Sequence, residues 1–216
     1  MTNKYKGLDI IRELDKMNVY YLDRIERTLA IACSSCNRTY AIRVDLRLPN
    51  NDNLDSEDRD CIYYSIVDKR DLMKRFFESL NSKIKCQYNR KVKDSIRVHK
   101  TKVRYIWVRE EGKSGKPHYH VCLLLNKDRF YRAGNIEDKE SLSFLIISAW
   151  ASALRLRKEE VVRLIHFPIN HGYYLERNNH KSYEVFNSLF YRLSYFAKKE
   201  SKKYGEGYRN IGTSIN

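Results

Sequence analysis

An apolar segment headed by two histidines constrains the fold of this chain more than any other feature. Residues 118–125 read HYHVCLLL, and every side chain after His120 is apolar. Successive side chains of a strand point to opposite faces, so such a run is buried on both faces and predicts a central strand. Strand-forming residues also occupy 103–109, and the short loop 111–117 between the two segments predicts a long hairpin.

The remaining periodicity predicts helices and strands around this hairpin. Helical intervals between apolar residues predict four helices, at 8–30, 68–85, 138–157 and from a capping Ser182 to about Lys203. Three further strands are predicted, at 40–48, 160–167 and 172–176. We therefore expect an α+β fold in which helices flank a central, mainly antiparallel sheet. Residues 1–39 would form an N-terminal helical segment and 40–216 a single globular unit.

The charge balance indicates the kind of partner. The chain has 42 lysines and arginines against 27 aspartates and glutamates, a formal net charge of +15. Such an excess predicts attraction to a polyanion, with an affinity that falls as salt rises. No apolar run approaches the roughly 20 residues that span a bilayer, and the N-terminus lacks signal-peptide features. We therefore expect a cytoplasmic protein that binds nucleic acid and has no membrane partner.

The cysteines carry a weaker signal. Five cysteines show no framework spacing, and Cys33 and Cys36 form a lone CxxC motif. A structural zinc site usually needs a second such pair, and a redox role needs a βαβ context that the sequence does not show. Ordinary reduced thiols are the favoured interpretation, and a redox pair is the alternative.

The two histidines at the head of the apolar run predict a metal half-site. His118 and His120 project from the same face of the predicted strand, because side chains alternate along it. Two neighbouring imidazoles on a rigid strand can bind one divalent cation. Buried imidazoles without partners would be costly, so hydrogen-bonded structural histidines are the alternative.

The predicted last helix places two tyrosines and a lysine together. Tyr191, Tyr195 and Lys198 stand at i, i+4 and i+7, so they would share one face. Tyrosines at this spacing often pack into a core with their hydroxyls at the surface. The functional interpretation is a tyrosine nucleophile beside a cation, with a metal to activate the electrophile.

Together the histidine strand and the tyrosine helix resemble the HUH endonucleases, which include the rolling-circle replication initiators. Residues 115–120 look like the metal motif of phage initiators with paired tyrosines. Four blocks more closely resemble the inovirus-type initiators of filamentous phages and enterobacterial prophages, the YagK/YfjJ C-terminal domain family. These blocks, which cover most of 40–214, are 43–49, 107–110 with the histidine strand, 194–198 and 209–214. One departure is Phe196, where an aliphatic residue is commoner in the family.

The resemblance implies a ferredoxin- or RRM-like HUH endonuclease domain at 40–216 and a metal site with three protein ligands. The third ligand would be Glu110, which lies before His118 and His120, and Glu111 is the alternative. Such a site would hold a hard divalent cation, Mg²⁺ or Mn²⁺, with positions left for a phosphate oxygen and water.

The resemblance also implies the reaction, which is transesterification of single-stranded DNA. Tyr195 would attack the scissile phosphate, leaving a 5′-phosphotyrosine and a free 3′-hydroxyl, and Tyr191 would serve as a second nucleophile. Lys198 would stabilise the developing charge, although a solvated lysine is the alternative. We therefore expect a rolling-circle initiator that acts at a replication origin in a bacterial host. Host helicase and polymerase are further expected partners.

Basic side chains are expected to bind the DNA. The predicted contacts are Arg43, Arg47, Arg192, Lys199, Lys202, Lys203 and Arg209. Asp45 is expected to pair with Arg43 and Arg47, and a position near the metal site is the alternative. Two other functions stay open: a non-catalytic DNA-binding regulator, and a transposase or conjugative relaxase with the same strand chemistry.

Overall fold

The structure is a computed structural model that describes residues 3–49, 71–111, 117–200, 202, 207 and 209–215. Its strands are β1 (Lys4–Tyr5), β2 (Leu8–Asp9), β3 (Arg38–Arg47), β4 (Arg104–Glu111), β5 (Pro117–Asn126), β6 (Ile165–His166), β7 (Gly172–Glu176) and β8 (Ile211–Thr213). Its α-helices are α1 (Val19–Ser35), α2 (Leu72–Lys93), α3 (Leu142–Leu154), α4 (Lys158–Val161) and α5 (Ser182–Ser194). The α+β class is confirmed. Lys203 lies outside the described residues.

Two compact units divide the chain. Unit 1 contains Met1–Asp45, His99–Arg132 and Phe167–Asn216, and unit 2 contains Leu46–Val98 and Ala133–His166. None of the described helices is long and apolar enough to cross a membrane.

The sheet of unit 1 confirms the predicted central strand and hairpin. Its strand order is β7-β3-β5-β4-β8, and the pairs β3–β7, β4–β5 and β4–β8 are antiparallel. Strand β5 has a neighbour on each side, and its residues Tyr119 to Leu125 are all buried. In the hairpin register Glu110 lies opposite His118. The apolar run therefore forms the middle of the sheet, and its histidine end lies next to Glu110.

Helices α1 and α5 cover one face of this sheet. Leu22 and Ile25 of α1, Phe190 of α5 and Cys122 and Leu124 of β5 belong to one buried apolar cluster. His120 has the same parity along β5 as Cys122 and Leu124, so it lies on the same face, at the end of the cluster.

The N-terminal helix is shorter than the predicted span of 8–30. Helix α1 begins only at Val19, after Asn18, whose side chain accepts a hydrogen bond from the backbone N–H of Tyr21. Asparagine is a favoured helix N-cap because it satisfies such an unpaired donor. Before it, β1 and β2 pair across a turn in which Gly7 has a φ of +82°. The Gly7 turn and the Asn18 cap therefore explain why the helix starts at Val19 and not at residue 8.

Unit 2 packs α2 against α3. The rings of Phe76 and Trp150 meet edge to face at 5.7 Å, and the Trp150 indole N–H donates to the Arg47 carbonyl at 3.0 Å. Helix α3 starts after Ser141, whose hydroxyl accepts from the N–H of Phe144. The residues before 71 in the predicted 68–85 helix lie outside the described part of the chain.

The predicted strand at 160–167 is wrong. Lys158–Val161 is helical, a 3₁₀ turn follows at Val162–Leu164, and only Ile165–His166 is extended. The Glu160 carboxylate accepts a hydrogen bond from the Arg157 N–H at 2.8 Å, which caps the helix start. The apolar residues that suggested a strand therefore belong to a capped helical turn.

The last helix ends earlier than the predicted Lys203. Helix α5 stops at Ser194, Tyr195–Ala197 form one 3₁₀ turn, and Lys198 follows as the turn's C-cap, outside the helix. Its N-cap is Lys181 rather than the predicted Ser182. Lys198 therefore does not continue the helical face of Tyr191.

Candidate metal centre

Glu110, His118 and His120 form a three-residue cluster on the β4–β5 hairpin. Their ligand atoms all lie within 4.8 Å of one another. The Glu110 Oε2 atom is 3.9 Å from His118 Nε2 and 3.4 Å from His120 Nε2. One carboxylate oxygen and two imidazole nitrogens could hold a divalent metal ion. The alternative acid, Glu111, lies 2.8 Å from Arg109 instead.

Asp45 of β3 orients one of the two histidines. Its Oδ1 atom lies 2.6 Å from His120 Nδ1, so the ring's Nε2 atom faces Glu110. A carboxylate on the far nitrogen fixes the tautomer and orientation of a ligating imidazole. Arg43 also lies 3.6 Å from Asp45, but the histidine contact is shorter. Sequence reasoning favoured the arginine pairing, because nothing in the local pattern showed that β3 neighbours β5 at this point.

Charge pairing determines the protonation of the cluster. Burial acts to lower the pKa of His120, but its hydrogen bonds to Asp45 and Glu110 outweigh burial and raise the pKa above its ordinary value. Burial acts to raise the pKa of Glu110, but His120 and the Lys202 ammonium lower it to about 2. Glu110 is therefore ionised at neutral pH, as a metal ligand must be.

Lys202 is buried against the cluster instead of lying on the predicted DNA-binding surface. Its Nζ atom is 2.5 Å from Glu110 Oε1, and its side chain is fully buried. Burial lowers the pKa of Lys202, and the Glu110 charge opposes that effect. The two oxygens of Glu110 thus have different roles, since one binds the lysine and the other faces the imidazoles. Lys202 is a partner of Glu110.

Tyr195 packs against the cluster from the 3₁₀ turn after α5. Its ring centroid is 5.9 Å from that of His120, and the Phe196 ring stacks on His120 at the same distance. The Arg43 guanidinium lies 5.7 Å from the centre of the Tyr195 ring, and Lys198 Nζ lies 3.7 Å from it. Arg43 is only 13% exposed and points into the site, whereas it was predicted to bind DNA at the surface. The fold therefore brings Tyr195 and Lys198 beside the candidate metal ligands.

Tyr191 is placed differently. It is 44% exposed, whereas the Tyr195 ring packs on His120. The neighbouring Arg192 donates to the Ile169 carbonyl at 2.7 Å. The two tyrosines are therefore not equivalent, and Tyr195 is the one shown to adjoin the cluster.

Of the other residues predicted to bind DNA, three are exposed. These are Arg47, Lys199 and Arg209. Lys199 also donates to the Asp15 carbonyl at 2.7 Å. Their exposure leaves them available to a polyanion.

Comparison with known proteins identifies relatives along nearly the whole chain. The family model described as the YagK/YfjJ C-terminal domain matches residues 1–214. The uncharacterized protein YagK of Escherichia coli K12 is 37% identical over 194 residues, which cover 90% of this chain and 91% of the relative. The uncharacterized protein YfjJ of the same strain is 30% identical over 197 residues, covering 90% and 93%. No solved structure is significantly similar to the chain.

Proposed function

We propose that this chain, which belongs to the YagK/YfjJ C-terminal domain family, is a metal-dependent enzyme that nicks and rejoins single-stranded DNA. The proposal includes a role as an HUH-type initiator of rolling-circle replication. One observation carries it: the Tyr195 ring lies 5.9 Å from the His120 ring, so a tyrosine side chain packs directly beside the candidate metal site. A tyrosine nucleophile beside an electrophile-activating metal is the arrangement that this reaction requires.

Glu110, His118 and His120 would hold the cation. Their chemistry fits Mn²⁺ or Mg²⁺, because an ionised carboxylate and two imidazoles leave coordination positions for oxygen ligands. A bound cation supplies Lewis acidity at a non-bridging oxygen of the scissile phosphate. Asp45 keeps His120 Nε2 directed toward Glu110, where the cation would bind, and Lys202 keeps the Glu110 carboxylate oriented.

Tyr195 would perform the covalent step. Its hydroxyl oxygen attacks the phosphorus and forms a phosphotyrosine bond, while the bond from phosphorus to the 3′-oxygen breaks. The tyrosine loses its proton, and the departing 3′-oxygen gains one. The Lys198 ammonium, beside the ring, would stabilise the negative charge on the phenolate and the phosphate. Rejoining is the reverse reaction and needs no nucleotide triphosphate, because the covalent link keeps the phosphodiester energy.

The experiment is to incubate the protein with single-stranded oligonucleotide libraries and Mn²⁺ and to detect a covalent adduct on a denaturing gel. Tyr195→Phe should abolish the adduct, because the phenyl ring lacks the attacking oxygen. Tyr191→Phe should retain the first cleavage, since Tyr191 is 44% exposed and away from the cluster. An adduct in Tyr195→Phe would overturn the assignment. A salt-sensitive mobility shift without an adduct under any divalent cation would instead support a non-catalytic binding protein.

A further inference from the structure

Residues 9–18, which we call the N-terminal strap, bind the chain on both sides of Tyr195. Before the tyrosine, the Ile11 N–H donates to the Ser194 hydroxyl at 3.0 Å. After it, the Asn18 N–H donates to the Ala197 carbonyl at 2.7 Å. Two far-separated parts of the sequence therefore meet directly at the candidate nucleophile.

The strap continues alongside the residues that follow the 3₁₀ turn. Met17 and Lys198 form an antiparallel bridge, and the Lys199 N–H donates to the Lys16 carbonyl at 3.2 Å. Met17 is fully buried and belongs to the same apolar cluster as Phe196. The segment after Tyr195 is thus held by backbone pairing and by buried apolar contact.

These contacts replace support that the helix itself does not provide. Helix α5 ends at Ser194 and the following 3₁₀ turn ends at Ala197. The Ala197 carbonyl, the last of that turn, takes its partner from the strap, the Asn18 N–H. A second anchor lies further back on α5. There the Asp9 N–H donates to Asn187 Oδ1 at 2.8 Å, and Asn187 Nδ2 donates to Asp9 Oδ2 at 2.6 Å.

The candidate metal ligands have different supports. Glu110, His118 and His120 come from the β4–β5 hairpin and contact Asp45 and Lys202. The three candidate ligands are therefore carried by the sheet, whereas the backbone on both sides of Tyr195 is held by the strap. Damage to the strap should displace Tyr195 while the three side chains stay on their strands.

We propose that the strap is a positioning element that sets Tyr195 against the metal cluster. The inference rests on the proposed function, since it assigns the strap a role in that reaction. It assigns residues 9–18 to the working enzyme, and the family match that begins at residue 1 agrees with this. Asn18 acts through Tyr195 and is a positioning residue.

A matched pair of substitutions at Asn18 isolates the backbone contact. Asn18→Ala and Asn18→Pro both remove the side chain that caps α1, but only proline also removes the N–H that binds Ala197. The backbone suits proline, because Asn18 has a φ of −84° and Met17 is extended. The difference between the two variants therefore measures the strap contact.

The expected result is a loss of cleavage without a loss of metal. Adduct formation should be about 100-fold slower in Asn18→Pro than in Asn18→Ala, because misplacing a reacting group by about 1 Å has an effect of this size. Titration calorimetry should find the same Mn²⁺ affinity in both. Equal adduct rates in the two folded variants, or a weakened Mn²⁺ affinity in Asn18→Pro alone, would overturn the proposal.

A second readout does not depend on cleavage. Full-length protein labelled with 3-fluorotyrosine gives a fluorine NMR signal for Tyr195, identified by its loss in Tyr195→Phe. The fluorine chemical shift of this signal should be the same in the wild type and in Asn18→Ala, and different in Asn18→Pro, because a displaced ring has different neighbours. If the wild type forms no adduct with any DNA, the proposed function fails while this measurement still tests the strap. The same chemical shift in all three proteins would refute the strap.

A milder variant covers the case in which Asn18→Pro does not fold. Asn187→Ala removes only the side-chain pair with Asp9 and leaves the backbone of the strap intact. The fluorine chemical shift of Tyr195 should then differ from its wild-type value, with unchanged Mn²⁺ affinity. A wild-type adduct rate together with a wild-type chemical shift in Asn187→Ala would contradict the proposal.

Discussion

Asp45 shows how one side chain outside the ligand set controls the candidate metal centre. It contacts the nitrogen of His120 that faces away from Glu110, so it selects which imidazole nitrogen is available. Lys202 does the same for the Glu110 carboxylate by binding one of its two oxygens. The geometry of the three candidate ligands therefore depends on two charged side chains outside the set, Asp45 and Lys202.

Asp45→Asn is expected to weaken Mn²⁺ binding by about 10- to 100-fold, because an amide holds the imidazole less firmly and can favour the wrong tautomer. Titration calorimetry on the full-length protein measures the affinity. Asp128→Asn is the matched control, since Asp128 pairs with Arg38 and is not part of the cluster. An unchanged affinity in Asp45→Asn would show that His120 is oriented by other contacts.

Lys202→Met is expected to destabilise the metal-free protein by about 1–3 kcal/mol, because the buried Glu110 carboxylate loses its hydrogen bond to the lysine while His120 still faces its other oxygen. Chemical denaturation measures this free energy of unfolding. The exposed Lys199 provides the comparison, and Lys199→Met should change stability by no more than about 0.5 kcal/mol. Similar values for the two variants would mean that Glu110 finds another partner.

Elements were predictable where one signal dominated. The β4–β5 hairpin follows from an apolar run next to a second strand pattern, and its register brings Glu110 opposite His118. The ligand triad was therefore accessible from local sequence and family resemblance. The predicted helix at 8–30 extended too far because helical spacing of apolar residues does not register the Gly7 turn or the Asn18 cap.

Helix and strand ends were not predictable where the backbone pairs with a segment that is distant in the sequence. Helix α5 ends at Ser194 without a local stop signal, and Met17 of the strap pairs with Lys198 where the helix was predicted to continue. Asp45 and Lys202 were misjudged for a related reason. Asp45 contacts His120 on β5, and Lys202 contacts Glu110 on β4. Both contacts join residues that are far apart in the sequence, so they form only once the chain has folded.

Strand β8 pairs with β4 in close contact at Gly212. Gly212 pairs with Trp107 of β4, and a Cβ atom added at Gly212 would lie 2.3 Å from the Trp107 Nε1 atom. Gly212→Ala should therefore destabilise the protein by about 1–3 kcal/mol through overpacking. Thermal or chemical unfolding measures the change.

A further experiment tests whether the Trp107 indole ring causes the loss of stability in Gly212→Ala. In a double-mutant cycle, Gly212→Ala should have a smaller effect when Trp107→Leu is already present, since the clashing ring is gone. Equal effects of Gly212→Ala in both backgrounds would point to backbone conformation instead of the contact with Trp107.

At the scale of the whole molecule, the charge of +15 governs the proposed encounter with DNA. Binding to single-stranded DNA releases counterions, so the logarithm of the affinity should fall linearly with the logarithm of the salt concentration. This electrostatic attraction does not depend on the DNA sequence, and it speeds the association of the protein with DNA. In the proposed function, cleavage takes place at the site around Tyr195.

Arg47→Gln should lower the magnitude of that salt slope by about 0.7, the contribution of one neutralised phosphate on a single strand. Fluorescence anisotropy with a labelled oligonucleotide at several salt concentrations measures the slope. Arg157→Gln is the control, because Arg157 is exposed but was not predicted to bind DNA. If both variants reduce the slope equally, the positive charge acts as a diffuse field and Arg47 makes no distinct phosphate contact.

Three neighbouring strands contribute to the candidate site, with Asp45 on β3, His118 and His120 on β5 and Glu110 on β4. Metal affinity should therefore report when these strands have assembled during folding, as well as describing the folded protein. In a refolding experiment, tight Mn²⁺ capture would be delayed until β3 has docked on β5. The time at which Mn²⁺ binding appears would then give the time at which β3 pairs with β5.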